Sequence, residues 1–124
     1  MSAAAQAVAL DPRALAALDD AIGADNVVEI IDGILGTVPE ICGEMRAAAV
    51  SGNLRGLMRG AHQLRSDCAY VGATELCTRL QQIESGAETG RLARPVAEVD
   101  IVSAMIDGVL NTLRGVRNAR AQTA

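Results

Sequence analysis

The chain of 124 residues holds a single histidine, His62, and its candidate chemistry is best weighed around that residue. An imidazole can serve as nucleophile, proton carrier or metal ligand. One histidine with no second ligand at metal spacing makes a poor metal site. Cys42, Cys68 and Cys77 supply no such ligand set: their spacing matches no metal pattern, and an odd count argues against a disulfide framework. Set among Ala and Leu, they read as small core residues in a reducing compartment. No acid is placed in the sequence to form a triad with His62, and no nearby Ser or Cys has a general base of its own. What remains is a lone nucleophile or acceptor whose catalytic apparatus lies on another protein. On residue type alone, a surface histidine beside arginines is more often a solvated face.

The elements that must position His62 are helices. Val27, Ile30, Ile31, Ile34, Leu35, Val38, Ile41, Cys42 and Met45 follow i, i+3, i+4, i+7 spacing, and no segment alternates as a strand would. A short first helix is expected over about Asp11 to Ile22, with Asp11 as N-cap, Pro12 at the first helical position and Gly23 as stop. A second, about Asp25 to Val50, carries Pro39 inside it. A third, Leu54 to about Tyr70, is capped by Asn53; a fourth covers about Thr74 to Ser85; a fifth opens at Pro95 and reaches about Arg117. The four longer segments and their short breaks predict an all-α, antiparallel up-and-down four-helix bundle with an additional short N-terminal helix. Residues 10–117 form the bundle in this reading, and residues 1–9 and 118–124 are expected to fray.

On the third helix, at about 100° per residue, Leu54, Leu57, Leu64 and Cys68 fall within roughly 60° of Ala61 and form the buried stripe. His62 stands at its border, about 100° from Ala61, and Arg55, Ser66 and Arg59 follow at about 120°, 140° and 160°. The imidazole is therefore expected partly exposed, with Arg65 one turn along. Residues 1–50 carry eight acids and two Arg, whereas residues 51–70 carry three Arg and one Asp. A basic patch on an acidic chain of net charge −4 thus surrounds the histidine. Guanidinium groups suit phosphate and carboxylate through their planar fork of donors.

Composition removes other classes. With one Tyr, no Phe and no Trp, the chain has almost nothing to stack on bases, and its acidic balance opposes nucleic acid and anionic membranes. Glu29 and Asp32 interrupt the longest apolar run, so no span across a membrane is expected, and Met1 to Leu10 lacks the features of a signal peptide. A cytoplasmic protein is expected by elimination. Met45, Met58 and Met105 read as core.

The run from His62 to Leu76 resembles the signature of histidine-containing phosphotransfer (HPt) domains, H-x-L-[KR]-G-[ST]-small, a hydrophobic residue before Gly-Ala, Leu three further on, and a closing hydrophobic-Glu. His62, Leu64, Arg65, Cys68, Val71, Gly72, Ala73, Leu76, Ile83 and Glu84 match at fixed spacing. Leu10-Asp11-Pro12, Pro39 and Gly52-Asn53 agree as flanks, so the resemblance covers roughly residues 10–117. Ser66 and Asp67 depart from the family's Gly and Ser/Thr; on the helical wheel Asp67 points away from His62.

The resemblance implies a phosphocarrier of a multi-step two-component relay. His62 would accept the phosphoryl group from the aspartate of a response-regulator receiver domain and pass it to another receiver. Mg²⁺ is expected on the receiver and no cofactor on this chain. No kinase activity is expected, since no nucleotide-binding motif is present. Arg65, Arg59, Gln63, Ser66 and Arg55 are the expected phosphate or partner contacts. Gly72 is expected to end the His helix and admit the next one closely. The partners expected are receivers of a hybrid histidine kinase and a downstream regulator, and a monomer is expected because one chain closes its own core. Two other readings stay open: a non-phosphorylated helical adaptor that docks receivers, and a dimerising helical module in which His62 is incidental.

Overall fold

The computed structural model describes residues 10–123. Five helices follow in order: α1 (Pro12–Ile22), α2 (Ala24–Ser51), α3 (Leu54–Tyr70), α4 (Thr74–Thr89) and α5 (Pro95–Thr123). Each begins or ends where local chemistry requires. The carboxylate of Asp11 accepts from the backbone N–H of Arg13, with Pro12 at the start of α1, and the side chain of Asn53 accepts from Gly56 N–H to cap α3. Gly52 and Gly90 close α2 and α4 in the left-handed conformation. α2 runs continuously through Pro39.

α3 packs on α4, α2 on both α3 and α5, and α4 on α5, which closes a four-helix ring; α1 lies against α2 and α3. The short links between neighbours make the four long helices alternate in direction. Val27, Ile31, Met45, Leu57, Leu64, Leu76, Leu80, Ile83, Val99, Val102 and Leu113 meet inside, and no polar or charged residue is buried among the described residues. Burying each of the larger aliphatic side chains contributes about 1.5–3 kcal/mol against an exposed one. Cys68 is buried, Cys42 and Cys77 half-buried, and all three are free thiols. Burial pushes the Cys68 thiol up to about 12, which leaves it protonated and unreactive.

Three expectations are corrected. α4 continues past Ser85 to Thr89, because Ala87 extends the buried stripe and Gly86 lets Leu92 pack against the helix. α5 does not fray after Arg117: it runs to Thr123, held by Arg120 on Asp19 at 2.6 Å and Arg117 on Asp32 at 2.8 Å. The expected fraying of residues 1–9 lies outside the described residues. Gly72, at φ +76°, does end the turn after α3, but the element it admits is the start of α1 rather than the next helix. A Cβ there would lie 2.7 Å from the carbonyl oxygen of Asp11, whose N–H donates to the Gly72 carbonyl.

Candidate functional site

The buried face of α3 is Leu57, Ala61, Leu64 and Cys68, and it turns His62 outward. The imidazole is 62% exposed, as its place at the border of the stripe requires. α2 packs closely against α3 beside it. Gly60 faces Met45 of α2, and a Cβ at that position would collide with the Met45 Cγ, so α3 sits closer to α2 than a larger residue allows.

His62 is not without an acid, contrary to the sequence-based expectation. Glu84, on α4, places Oε1 3.0 Å from His62 Nδ1, and Arg65 Nη2 lies 3.1 Å from Glu84 Oε2 and 3.3 Å from Nδ1. An arginine N–H finds no acceptor in an Nδ1 that carries its own proton. The arrangement that suits all three groups has Nδ1–H donating to Oε1 while Arg65 neutralises the carboxylate from the other side. Oε2 is inaccessible to solvent and off the line of a hydrogen bond from Arg65, so their contact is an ion pair rather than an aligned bond. Glu84 is 20% exposed and Arg65 33%, so the carboxylate is fixed beneath a ring that reaches solvent. With Nδ1 occupied, Nε2 is the ring nitrogen free to react.

The hairpin of α3 and α4 explains the pairing. Residues at similar distances on either side of Gly72 stand at the same height, and Glu84 follows the buried Ile83 on the face turned to α3. The closing acid of the motif and this hairpin geometry were the signals in the sequence that could have placed Glu84 at the ring.

The other expected contacts divide. Arg65 touches the ring. The hydroxyl of Ser66 donates to the His62 carbonyl at 3.4 Å, back into its own helix. Arg59 and Gln63 line a groove between α2 and α3 beside the histidine, with Glu44, Ala47 and Gly60, which encloses about 520 Å³. Arg55 is exposed one further turn away. Arg55 and Arg59 have no ion pair among the described residues, so their charge is free to act on a partner. Asp67 lies away from the ring, as the wheel predicted, and Cys77 bonds weakly to the Arg65 carbonyl at 3.7 Å.

An exposed nitrogen nucleophile whose other ring nitrogen is anchored, on an all-helical frame with cations to one side, suits a protein that carries an anionic group between partners. Comparison with known proteins gives that class its family. The Hpt domain model matches residues 29–112, from α2 to α5 and across both sides of the site, and the chain belongs to this family. Its function is histidine phosphotransfer in a phosphorelay. The chain is 29% identical over 97 residues to the phosphorelay protein LuxU of Vibrio harveyi, covering 78% of this chain and 85% of that protein. Its fold is similar to the crystal structure of histidine-containing phosphotransfer protein B (HptB) from Pseudomonas aeruginosa PAO1, with a TM-score of 0.79 at 23% identity, over 89% of this chain and 95% of that one. Among the described residues no cluster of His, Cys, Asp or Glu has the geometry to hold a metal, and no helix is long and apolar enough to cross a membrane.

Proposed function

We propose that His62 is the phospho-acceptor and that its Nε2 attacks the aspartyl phosphate of a receiver domain in line. The N–P bond forms as the bond from phosphorus to the aspartate oxygen breaks, and the receiver's carboxylate leaves as the free anion. The reverse step on another receiver returns the phosphoryl group to an aspartate. The observation that carries this reading is the Nδ1 contact with Glu84: it fixes the ring, presents Nε2 outward and offsets the positive charge that grows on the ring as nitrogen bonds to phosphorus. Glu84 is a positioning and electrostatic residue here, not a base, since the attacking nitrogen has no proton to lose. Phosphoryl transfer of this kind needs placement and charge stabilisation above all.

Arg65 has two tasks in this mechanism. It neutralises Glu84 in the free chain and lies within one helical turn of the phosphoryl group once Nε2 carries it. Arg59, Arg55, Gln63 and Ser66 meet the receiver, which brings Mg²⁺ and its own acids. The chain is a carrier, neither kinase nor hydrolase, and it works in the cytoplasm as a monomer between a hybrid kinase's receiver and that of a downstream regulator.

The test is incubation with a phosphorylated receiver, followed by mass spectrometry of the chain. The expected result is an acid-labile, base-stable phosphoryl group on His62. Stable docking without label would instead support an adaptor, and a tight dimer that covers the His62 face would support a dimerising module; either would overturn the proposal.

A further inference from the structure

A second cleft lies between α2 and α3 nearer the C-terminal end of α3, and its character differs from the groove at Arg59 and Gln63. Ile30, Gly33, Ile34 and Thr37 form one wall and Asp67 and Tyr70 the other, around a cleft of about 370 Å³. Tyr70 is the chain's one aromatic residue, and it is 57% exposed. Asp67 is partly buried and makes neither hydrogen bond nor ion pair among the described residues; desolvation holds its carboxyl above the usual range. Nothing in the free chain offsets the cost of placing that charge beside apolar walls. Asp11, Asp19 and Asp32, by contrast, each hold an arginine.

We propose that this cleft is a specificity pocket in which Asp67 pairs with a basic side chain, arginine above lysine, on a surface helix of the docked receiver, while Tyr70 lies along its stem. The proposal rests on the receiver reading of His62 and extends it to the choice of receiver. An unpaired carboxylate inside an apolar cleft is complementary to a cation carried on an apolar stem. A guanidinium suits it best, since its fork meets a carboxylate with two bonds while its plane stacks on a tyrosine ring.

Reach agrees with chemistry. At about 1.5 Å per residue, Asp67 lies roughly 8 Å along the α3 axis from His62 and Tyr70 roughly 12 Å. A protein interface of ordinary size covers about 800 Å² of each partner, a patch of about 16 Å radius. Asp67 stands about 140° round α3 from His62, on the flank turned to α2, so a receiver centred on His62 reaches the cleft by extending across α3 to that flank. The pocket adds attraction where no phosphoryl chemistry occurs, so it acts on affinity and partner choice rather than on the transfer step.

The experiment uses the full chain and the receiver, among those purified from the source organism, that phosphorylates it fastest. Asp67→Asn keeps the shape and removes the charge. It is expected to raise the Kd for that receiver about tenfold and to flatten its salt dependence, leaving the rate at saturating receiver unchanged and the melting temperature at neutral pH no lower than the parent's. Asp67→Arg is expected to lose binding, and an Arg→Asp or Lys→Asp change on the receiver's docking helix to restore it. The proposal is overturned if Asp67→Asn binds within about twofold of the parent with the same salt slope. It is also overturned if no charge exchange on the receiver rescues Asp67→Arg, or if the variant alters only a dimer of the chain itself. If no receiver phosphorylates the parent chain, the acceptor reading fails and the occupant assigned to the cleft fails with it. A parent that transfers normally beside an Asp67→Asn that binds normally refutes the pocket alone.

Discussion

Replacing Glu84 with Gln isolates the contact beneath the reactive ring. The amide retains the size of the side chain and an oxygen able to accept from Nδ1–H, but it brings no charge. In the proposed transfer, positive charge grows on the imidazole as Nε2 bonds to phosphorus, and the carboxylate sits 3.0 Å from the opposite nitrogen. Unit charges about 4 Å apart interact by roughly 4 kcal/mol at an effective dielectric constant of 20. Only part of a unit charge develops in the transition state, and a ring that is 62% exposed is screened by water. A loss of about 1–2 kcal/mol remains, equivalent to transfer roughly five- to thirtyfold slower. Rapid-quench transfer from one phosphorylated receiver at saturating concentration measures it, with the Kd for that receiver expected to hold. Glu84→Ala should slow transfer further, and ¹⁵N NMR should show the ring losing its preference for the Nδ1–H tautomer. A Glu84→Gln variant that transfers at the parent rate, with the same tautomer, would refute the role assigned to this acid.

His62→Gln should abolish label and leave the melting temperature almost unchanged, because the ring lies outside the packed stripe; retained acid-labile label would contradict the acceptor. Arg59→Ala and Arg65→Ala should both slow transfer and flatten its salt dependence, Arg65→Ala the more, by about 1–3 kcal/mol of transition-state stabilisation in stopped-flow measurements. Gly60→Ala should destabilise the fold by about 1–3 kcal/mol in chemical denaturation, because its Cβ must displace Met45 in a closely packed crossing. Hydrogen bonds from Arg120 and Arg117 hold Asp19 and Asp32 below the usual carboxylate range, so their contribution is present above the ordinary value of 3.8 and is lost as pH falls through their lowered values. Asp67, held above it, runs the other way and favours the fold as it is protonated. The Asp19→Asn, Asp32→Asn double variant should therefore melt earlier at neutral pH and lose less on acidification, as read from thermal melts across the acid range.

Helix starts were legible because they depend on single residues: Asp11, Pro12 and Asn53 act within one turn of where they stand. The helical period placed His62 at the rim of the α3 stripe, and the ring is exposed there. Ends were harder to read. α4 passes Ser85 because the burial of Ala87 outweighs the cost of Gly86 in a helix, and that balance depends on Leu92 packing from the following loop. α5 persists to Thr123 through ion pairs with Asp19 and Asp32, partners from the opposite end of the chain that no local pattern reveals. Glu84 was missed at the site for the same reason. The wheel of a single helix shows which residues share a face, not which acid a neighbouring helix supplies. Gly72 was read correctly as a turn residue but assigned the wrong neighbour, since its tight contact is with the Asp11 backbone.

The exposed Tyr70 also makes the molecule unusually simple to observe. With no tryptophan or phenylalanine in the chain, its near-ultraviolet absorption and intrinsic emission come from one phenol ring. The ring is already in water in the folded state, so its emission reports little of unfolding, and the aliphatic core is optically silent. Whatever covers the end of the α2–α3 groove changes the surroundings of the one chromophore present. A receiver that lacks both tryptophan and tyrosine can thus be titrated against the natural chain without an attached dye, and with the docking proposed for the cleft the optical signal follows binding rather than folding.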